Sequence, residues 1–182
     1  MKVNGNIKKF YHYSFPMQAV LVTCKNGKDI TNIITIAWHT TISKKPPLYG
    51  ISIAPSRYSH DLIKKSKEFV INFAPYALAE KINFCGTHSG RKINKINETN
   101  LTLIPGKKTK TPLIKECFAH FECKLYDEFT IGDHTMFIGE VVNILLDDDA
   151  FVNDLLENKK IQPCYYIGNN NYTTISNIKK KI

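Results

Sequence analysis

Ser52-Ile53-Ala54-Pro55-Ser56-Arg57-Tyr58-Ser59-His60-Asp61-Leu62-Ile63 reads as a strand that runs into the start of a helix. Ahead of Pro55 the run Leu48 to Ala54 has strand character. Past it, Leu62 and Ile63 stand among polar residues, Ser59 is placed to cap a helix, and Asp61 falls in the first turn, where a carboxylate meets the positive end of the helix dipole. The N–H groups of a helix start, the hydroxyls of Ser56 and Ser59 and the permanently charged fork of Arg57 together suit a phosphate dianion. A second reading fits the same letters, with the serines as ordinary caps and Arg57 as a solvated surface cation. The local pattern supports both equally.

Upstream of this segment the chain predicts strands over Gln18 to Cys24 and Ile33 to Ile42, separated by a turn at Lys25-Asn26-Gly27-Lys28. Downstream, Glu68 to Phe73 returns to strand, Ala77 to Phe84 reads as a helix, and Gly86 to Pro112 is a long polar stretch that wraps the core or forms a partner or ligand edge. Glu116 to Tyr126 and His134 to Leu146 form a hairpin turning at Gly132-Asp133. Asp148 to Leu156 suggests a helix, with Asp147 to Asp149 supplying its cap, and Cys164 to Ile167 pairs with Tyr172 to Ile175. About six strands with few helices predict a mainly β domain, an antiparallel barrel with helical decoration, spanning residues 1–182 as one unit.

The chain has 182 residues, 43% of them hydrophobic, enough for one substantial core. Its 25 basic and 16 acidic residues leave a formal charge of +9, which suits an anionic ligand, but the lysines are scattered without the aromatic interleaving of a nucleic-acid groove. No nucleic-acid or membrane partner is expected. The first fifteen residues hold no apolar stretch of signal-peptide length, so the expectation is a cytoplasmic protein whose five cysteines are free thiols. No glycine pattern of a dinucleotide or phosphate-binding loop occurs, and no hydrolase elbow or zinc-protease motif. Cys117, His120 and Cys123 have metal-like spacing, yet on a strand the two cysteines share one face while His120 takes the other, so no metal is expected.

The chain resembles the flavin-reductase-like family of FMN-binding split barrels, which includes flavoredoxins. The resemblance is carried by Ile34-Thr35-Ile36-Ala37-Trp38-His39-Thr40-Thr41-Ile42-Ser43 with Pro46-Pro47, by Ile51 to Ser59, by Glu68-Phe69-Val70-Ile71-Asn72, by Cys85-Gly86 with Ser89-Gly90-Arg91, and by Gly132-Asp133-His134-Thr135 leading into Phe137-Ile138-Gly139-Glu140-Val141. Asn94-Lys95-Ile96 departs from the family's Asp-Lys-Phe. The resemblance implies a six-stranded antiparallel Greek-key split barrel with a few flanking helices, a homodimer, and FMN held noncovalently near the subunit interface.

It places Thr35, Ala37, Trp38 and Thr40 beside the flavin, and Ser52, Ala54, Ser56, Arg57 and Ser59 along the ribityl and phosphate path, with Arg57 as main countercharge. Asn72, Cys85, Gly86, Ser89, Arg91 and Lys95 would border the cofactor, and His134 would meet the incoming nicotinamide or another electron partner as the catalytic candidate. From the residues alone, Trp38 serves equally as a core or interface tryptophan, and His134 as a turn histidine satisfied by Asp133. The implied activity is an oxidoreductase moving electrons from NAD(P)H through FMN to an acceptor; the alternative is a flavoredoxin-type carrier serving protein partners with little NAD(P)H turnover. In either, the flavin performs the redox chemistry and the protein supplies placement and electrostatics, which accounts for the missing catalytic motifs.

Overall fold

The computed structural model describes residues 1–26, 30–178 and 180. Gly27 and Lys28 of the expected turn, and Lys179 and Lys181 of the basic tail, lie outside the described residues. Seven strands form the main sheet: β1 Val20–Lys25, β2 Thr31–Ile36, β3 His39–Ser43, β4 Leu48–Ile53, β5 Glu68–Phe73, β6 Ala119–Ile131 and β7 His134–Leu146. Their order is β2-β1-β5-β6-β7-β4-β3, and every neighbouring pair is antiparallel. The two edge strands, β2 and β3, are consecutive in the chain and joined only by Ala37 and Trp38. Two residues reach less than about 10 Å even when extended. The sheet therefore has to roll until its edges nearly meet, and it stays open at that seam.

The expected strand over 33–42 is thus two strands, and the sheet counts seven rather than six. The break has a local cause, since β2 pairs with β1 through Ile36 whereas β3 pairs with β4 from His39 onward. One extended segment cannot hydrogen-bond to both partners without turning between them. Strand β1 is buried on both faces, which explains its unbroken apolar run. Val20 and Val22 point into the cluster that fills the rolled sheet with Ile51, Phe69, Ile71 and Phe137, while Ala19 and Leu21 face a second cluster with Ile33, Ile82 and Cys85. Helix α1 (Tyr58–Ser66) packs Leu62 and Ile63 into the first cluster, and α2 (Ala79–Thr87) packs Ile82 and Cys85 into the second.

Other expectations are corrected. Residues 148–156 form a small hairpin, Phe151–Val152 against Leu155–Leu156, because Asn153 and Asp154 both adopt positive φ (51° and 61°) and close a two-residue turn. The polar stretch after Gly86 contains a short helix, α3 (Lys95–Thr99), capped by Asn94, whose side chain accepts from the N–H groups of Ile96 and Asn97. Ser59 is not the cap of α1; Arg57 occupies that position and Ser59 lies inside the helix. Cys117 precedes β6 and joins the second cluster while Cys123 joins the first, so the two thiols do not share a face as expected. All five cysteines are free and buried. Among the described residues, no helix is long and apolar enough to cross a membrane.

Gly139 sits at a bulge in β7 where that strand crosses the core. A Cβ there would stand 2.6 Å from Phe69 Cζ and 2.7 Å from Cys123 Cβ. Gly139→Ala is expected to cost about 1–3 kcal/mol of stability through overpacking, read as a lower urea midpoint.

Candidate functional site

The seam of the sheet is also where a cleft opens. A cavity of about 300 Å3 is bounded by β2 and the Ala37-Trp38 crossing on one side and by Ser52, Ala54 and Arg57 on the other. The end of β4 is tied to the crossing by a hydrogen bond from Ser52 N to the Trp38 carbonyl (2.9 Å). Trp38 lies tilted against His134, ring centroids 4.8 Å apart. Tyr11, His12 and Phe15, from or just after an amino-terminal 3-10 segment (Ile7–Ser14), close the outer side with Tyr166. His134 stands at the start of β7, where the hairpin turn brings it to the cavity wall. Its Nδ1 donates to Asp133 Oδ1 at 2.7 Å, and this bond holds the Asp133 carboxyl below its usual range. The imidazole is thereby oriented while its ring face remains against Trp38.

Arg57 and Gly86 line this cavity and also a second one of about 190 Å3, which continues past Ser56, Ser59, Cys85, Ser89 and Lys95. Two cations meet there. Arg57, at the amino terminus of α1, makes no side-chain hydrogen bond or ion pair among the described residues. Lys95 is 5% exposed and donates to the carbonyls of Ile33 (2.8 Å) and Cys85 (2.6 Å). Burial lowers its pKa, with the charge of Arg57 acting in the same direction against the opposing influence of Cys85 and Cys24. An ammonium has three donors, so one is left over beside the cavity. Desolvation also pushes the Cys85 thiol up to about 11, which keeps it protonated and unreactive. Gly86 bears no side chain where a Cβ would press on Thr35 Cβ at 3.3 Å, so the chain runs close beside β2.

The remaining expected residues separate into neighbours and supports. Thr40 lines an adjoining apolar chamber of about 670 Å3 with Phe10, Met17, Trp38 and Met136. Thr35 lines the first cavity but donates its hydroxyl to the Ile82 carbonyl. Ser59 accepts from Asn32 Nδ2 at 2.8 Å, which ties α1 to β2. Arg91 spends its charge on Asp61 (2.6 Å) and braces the Ser56 carbonyl (3.1 Å), so it supports the wall of the cleft. Asn72 lines neither cavity. It is fully buried on β5, donates to the Leu21 carbonyl, and accepts from Ile114 N and His120 Nδ1, both at 2.9 Å.

Sequence reasoning missed Tyr11, His12, Phe15, Tyr166, Asn32 and His88 as lining residues. The aromatic run Tyr11-His12-Tyr13 carried no pattern that distinguishes a cleft wall from a frayed end. His88 stood inside a segment already singled out, between Gly86 and Ser89.

The arrangement sets a cleft with an aromatic wall beside a smaller cavity flanked by two cationic side chains, at the seam of a rolled antiparallel sheet. Residues 12–175 match the family model described as the flavin reductase like domain, and the chain belongs to that family. An uncharacterized protein of Archaeoglobus fulgidus is 37% identical over 149 residues, covering 82% of each chain. An FMN-binding protein of Thermus thermophilus, solved with 1-cyclohex-2-enone, aligns over 100% of this chain and 98% of its own with a TM-score of 0.84 and 26% identity. The flavoredoxin of Desulfovibrio vulgaris (Miyazaki F) shares the fold, with a TM-score of 0.88 over 100% of this chain and 97% of its own at 23% identity.

Proposed function

We propose that the chain is a single FMN-dependent oxidoreductase domain, working as a homodimer, that accepts electrons from NAD(P)H and passes them to an acceptor. In this reading β2 and β3 count as one bent strand of a six-stranded Greek-key split barrel. The observation that carries it is Arg57: a guanidinium at a helix start, unpaired among the described residues, beside an almost buried lysine, at the junction of a ring-sized and a phosphate-sized cavity. FMN, when bound noncovalently, supplies the hydride and electron chemistry. Arg57 and Lys95 balance the phosphate charge. Trp38 and Tyr11 shield the ring from water, and His134, oriented by Asp133, meets the electron donor at the open face. The apolar chamber beside Trp38 gives that donor, or a small apolar acceptor such as the enone seen with the Thermus protein, room to approach.

The test is an absorbance spectrum of the purified protein before and after incubation with FMN and desalting. A retained flavin spectrum near one per chain is the expected result, and a protein that never retains flavin overturns the reading. His134→Ala is expected to slow flavin reduction by NAD(P)H about tenfold while FMN affinity changes less than about twofold. An unchanged reduction rate removes His134 from the site. The similarity to flavoredoxins favours one alternative, a carrier that exchanges electrons with protein partners. Steady-state oxidation of NAD(P)H separates the two, since sustained turnover excludes the carrier and none excludes the reductase.

A further inference from the structure

His88 lines the phosphate-end cavity and has no part in the scheme above. Its ring stacks on Phe84, centroids 4.0 Å apart and planes 17° from parallel, so it is held flat against the end of α2. Its Nδ1 lies 3.2 Å from the Phe84 carbonyl oxygen and 3.1 Å from Thr87 Oγ1. A carbonyl oxygen only accepts, so Nδ1 carries the proton at that contact. The other nitrogen, Nε2, makes no hydrogen bond among the described residues. With the tautomer settled in this way, a neutral imidazole presents a lone pair at Nε2, which repels a phosphate oxygen. A protonated imidazole presents an N–H and a positive charge instead.

We propose that His88 is a proton-coupled ligand of the cofactor phosphate: seating a phosphorylated flavin places a proton on Nε2, and the phosphate is gripped more tightly at lower pH. The proposal rests on the FMN reading and adds a residue and a regulation to the same site. The titratable and charged groups that line the same cavity as His88 are Arg57 at the cap of α1, Tyr58 from α1, Cys85 from α2 and Lys95 from α3. The Cys85 thiol stays neutral, and Arg91 nearby is neutralised by Asp61. Lys95 is the competing source of proton uptake, because burial has lowered its pKa.

The test is calorimetric titration of the full-length protein with FMN and with riboflavin in two buffers of different ionisation enthalpy. At about pH 7.5 the phosphate of free FMN is already a dianion, its second pKa being about 6, so any uptake belongs to the protein. FMN is expected to bind with net proton uptake, riboflavin with none, and His88→Asn is expected to abolish the uptake. The same variant should weaken FMN about fivefold at about pH 6.5 and less than about twofold at about pH 8.5, with riboflavin unchanged. Absence of uptake in the wild type overturns the proposal. So does uptake that survives His88→Asn, which would assign the proton to Lys95. FMN binding that is tight but indifferent to His88 leaves the flavin function standing and removes only this inference, whereas failure to bind either flavin removes both.

Discussion

Arg57→Ala is expected to weaken FMN binding by about ten- to a hundredfold and riboflavin binding by less than about threefold, because only FMN carries the dianion that the guanidinium faces. The variant should fold normally. Arg57 makes no side-chain hydrogen bond or ion pair among the described residues, and its structural contribution is the backbone of a tight turn, Arg57 N to the Ala54 carbonyl and His60 N to the Arg57 carbonyl, each 3.0 Å. Alanine supports both bonds equally. Fluorescence titration with the two flavins measures the difference directly. Equal losses for both would show that Arg57 acts on the ring or on the fold, and the phosphate assignment would fall. Arg91→Ala offers the contrast: its charge already belongs to Asp61, so it should disturb α1 and Ser56 and weaken the two flavins alike.

The second large effect lies outside the cleft. Glu122 on β6 is fully buried, and its carboxylate accepts from the backbone N–H groups of Lys107 (3.0 Å), Lys108 (2.8 Å) and Thr109 (2.7 Å), from Thr109 Oγ1 (2.9 Å) and from Asn143 Nδ2 (2.7 Å). Successive backbone N–H groups wrapped around one anion hold an otherwise irregular loop in place. Burial by itself would raise the pKa of this carboxyl, but the donors from Lys107, Lys108, Asn143 and Thr109 outweigh it and hold the value down to about 2. Glu122→Gln keeps the shape but removes the charge and turns an amide N–H₂ toward backbone N–H groups, which can only donate. A loss of about 2–4 kcal/mol is expected, measured by urea unfolding at neutral pH.

The pH dependence follows in sign. A carboxyl whose folded pKa lies below its unfolded one stabilises the fold at pH values above the unfolded pKa, and that stabilisation fades as pH falls through the folded one. For Glu122 the window runs from 4.5 down to about 2. The stability gap between wild type and Glu122→Gln should therefore be full at neutral pH and narrow as the solution is acidified through that window. A gap that stays constant with pH would mean that the loop is held by something other than the charge.

Much of the architecture was legible in local pattern. The strands beginning near Gln18, Leu48, Glu68 and His134, the hairpin at Gly132-Asp133 and helix α1 could all be read from alternation, turn residues and the Ser56-to-Ile63 composition, because each depends on neighbours within a few positions. The break at Ala37-Trp38 could not. Ile33 to Ile42 is uniformly β-prone, and what divides it is the choice of partner, β1 for one half and β4 for the other, which no local propensity encodes. The segment around Asn153-Asp154 reads locally as a helix because apolar spacing over nine residues suits either form, and it is the positive φ of the turn pair that makes it a hairpin.

The same division runs through the site. By itself the sequence determined that a strand delivers its chain into a helix start at Ser56-Arg57, that glycines and serines recur at Gly86, Ser89 and Gly90, and that a histidine follows a turn at Asp133. Those are properties of adjacent residues. Only the tertiary structure decided that Arg57 is unpaired among the described residues while Arg91 is spent on Asp61, that Lys95 is nearly buried with a donor to spare, and that Asn72 belongs to the core. Whether a cation is free for a ligand depends on which acceptors the fold brings within hydrogen-bond reach, and here they come from residues 10 to 62 positions away in the chain.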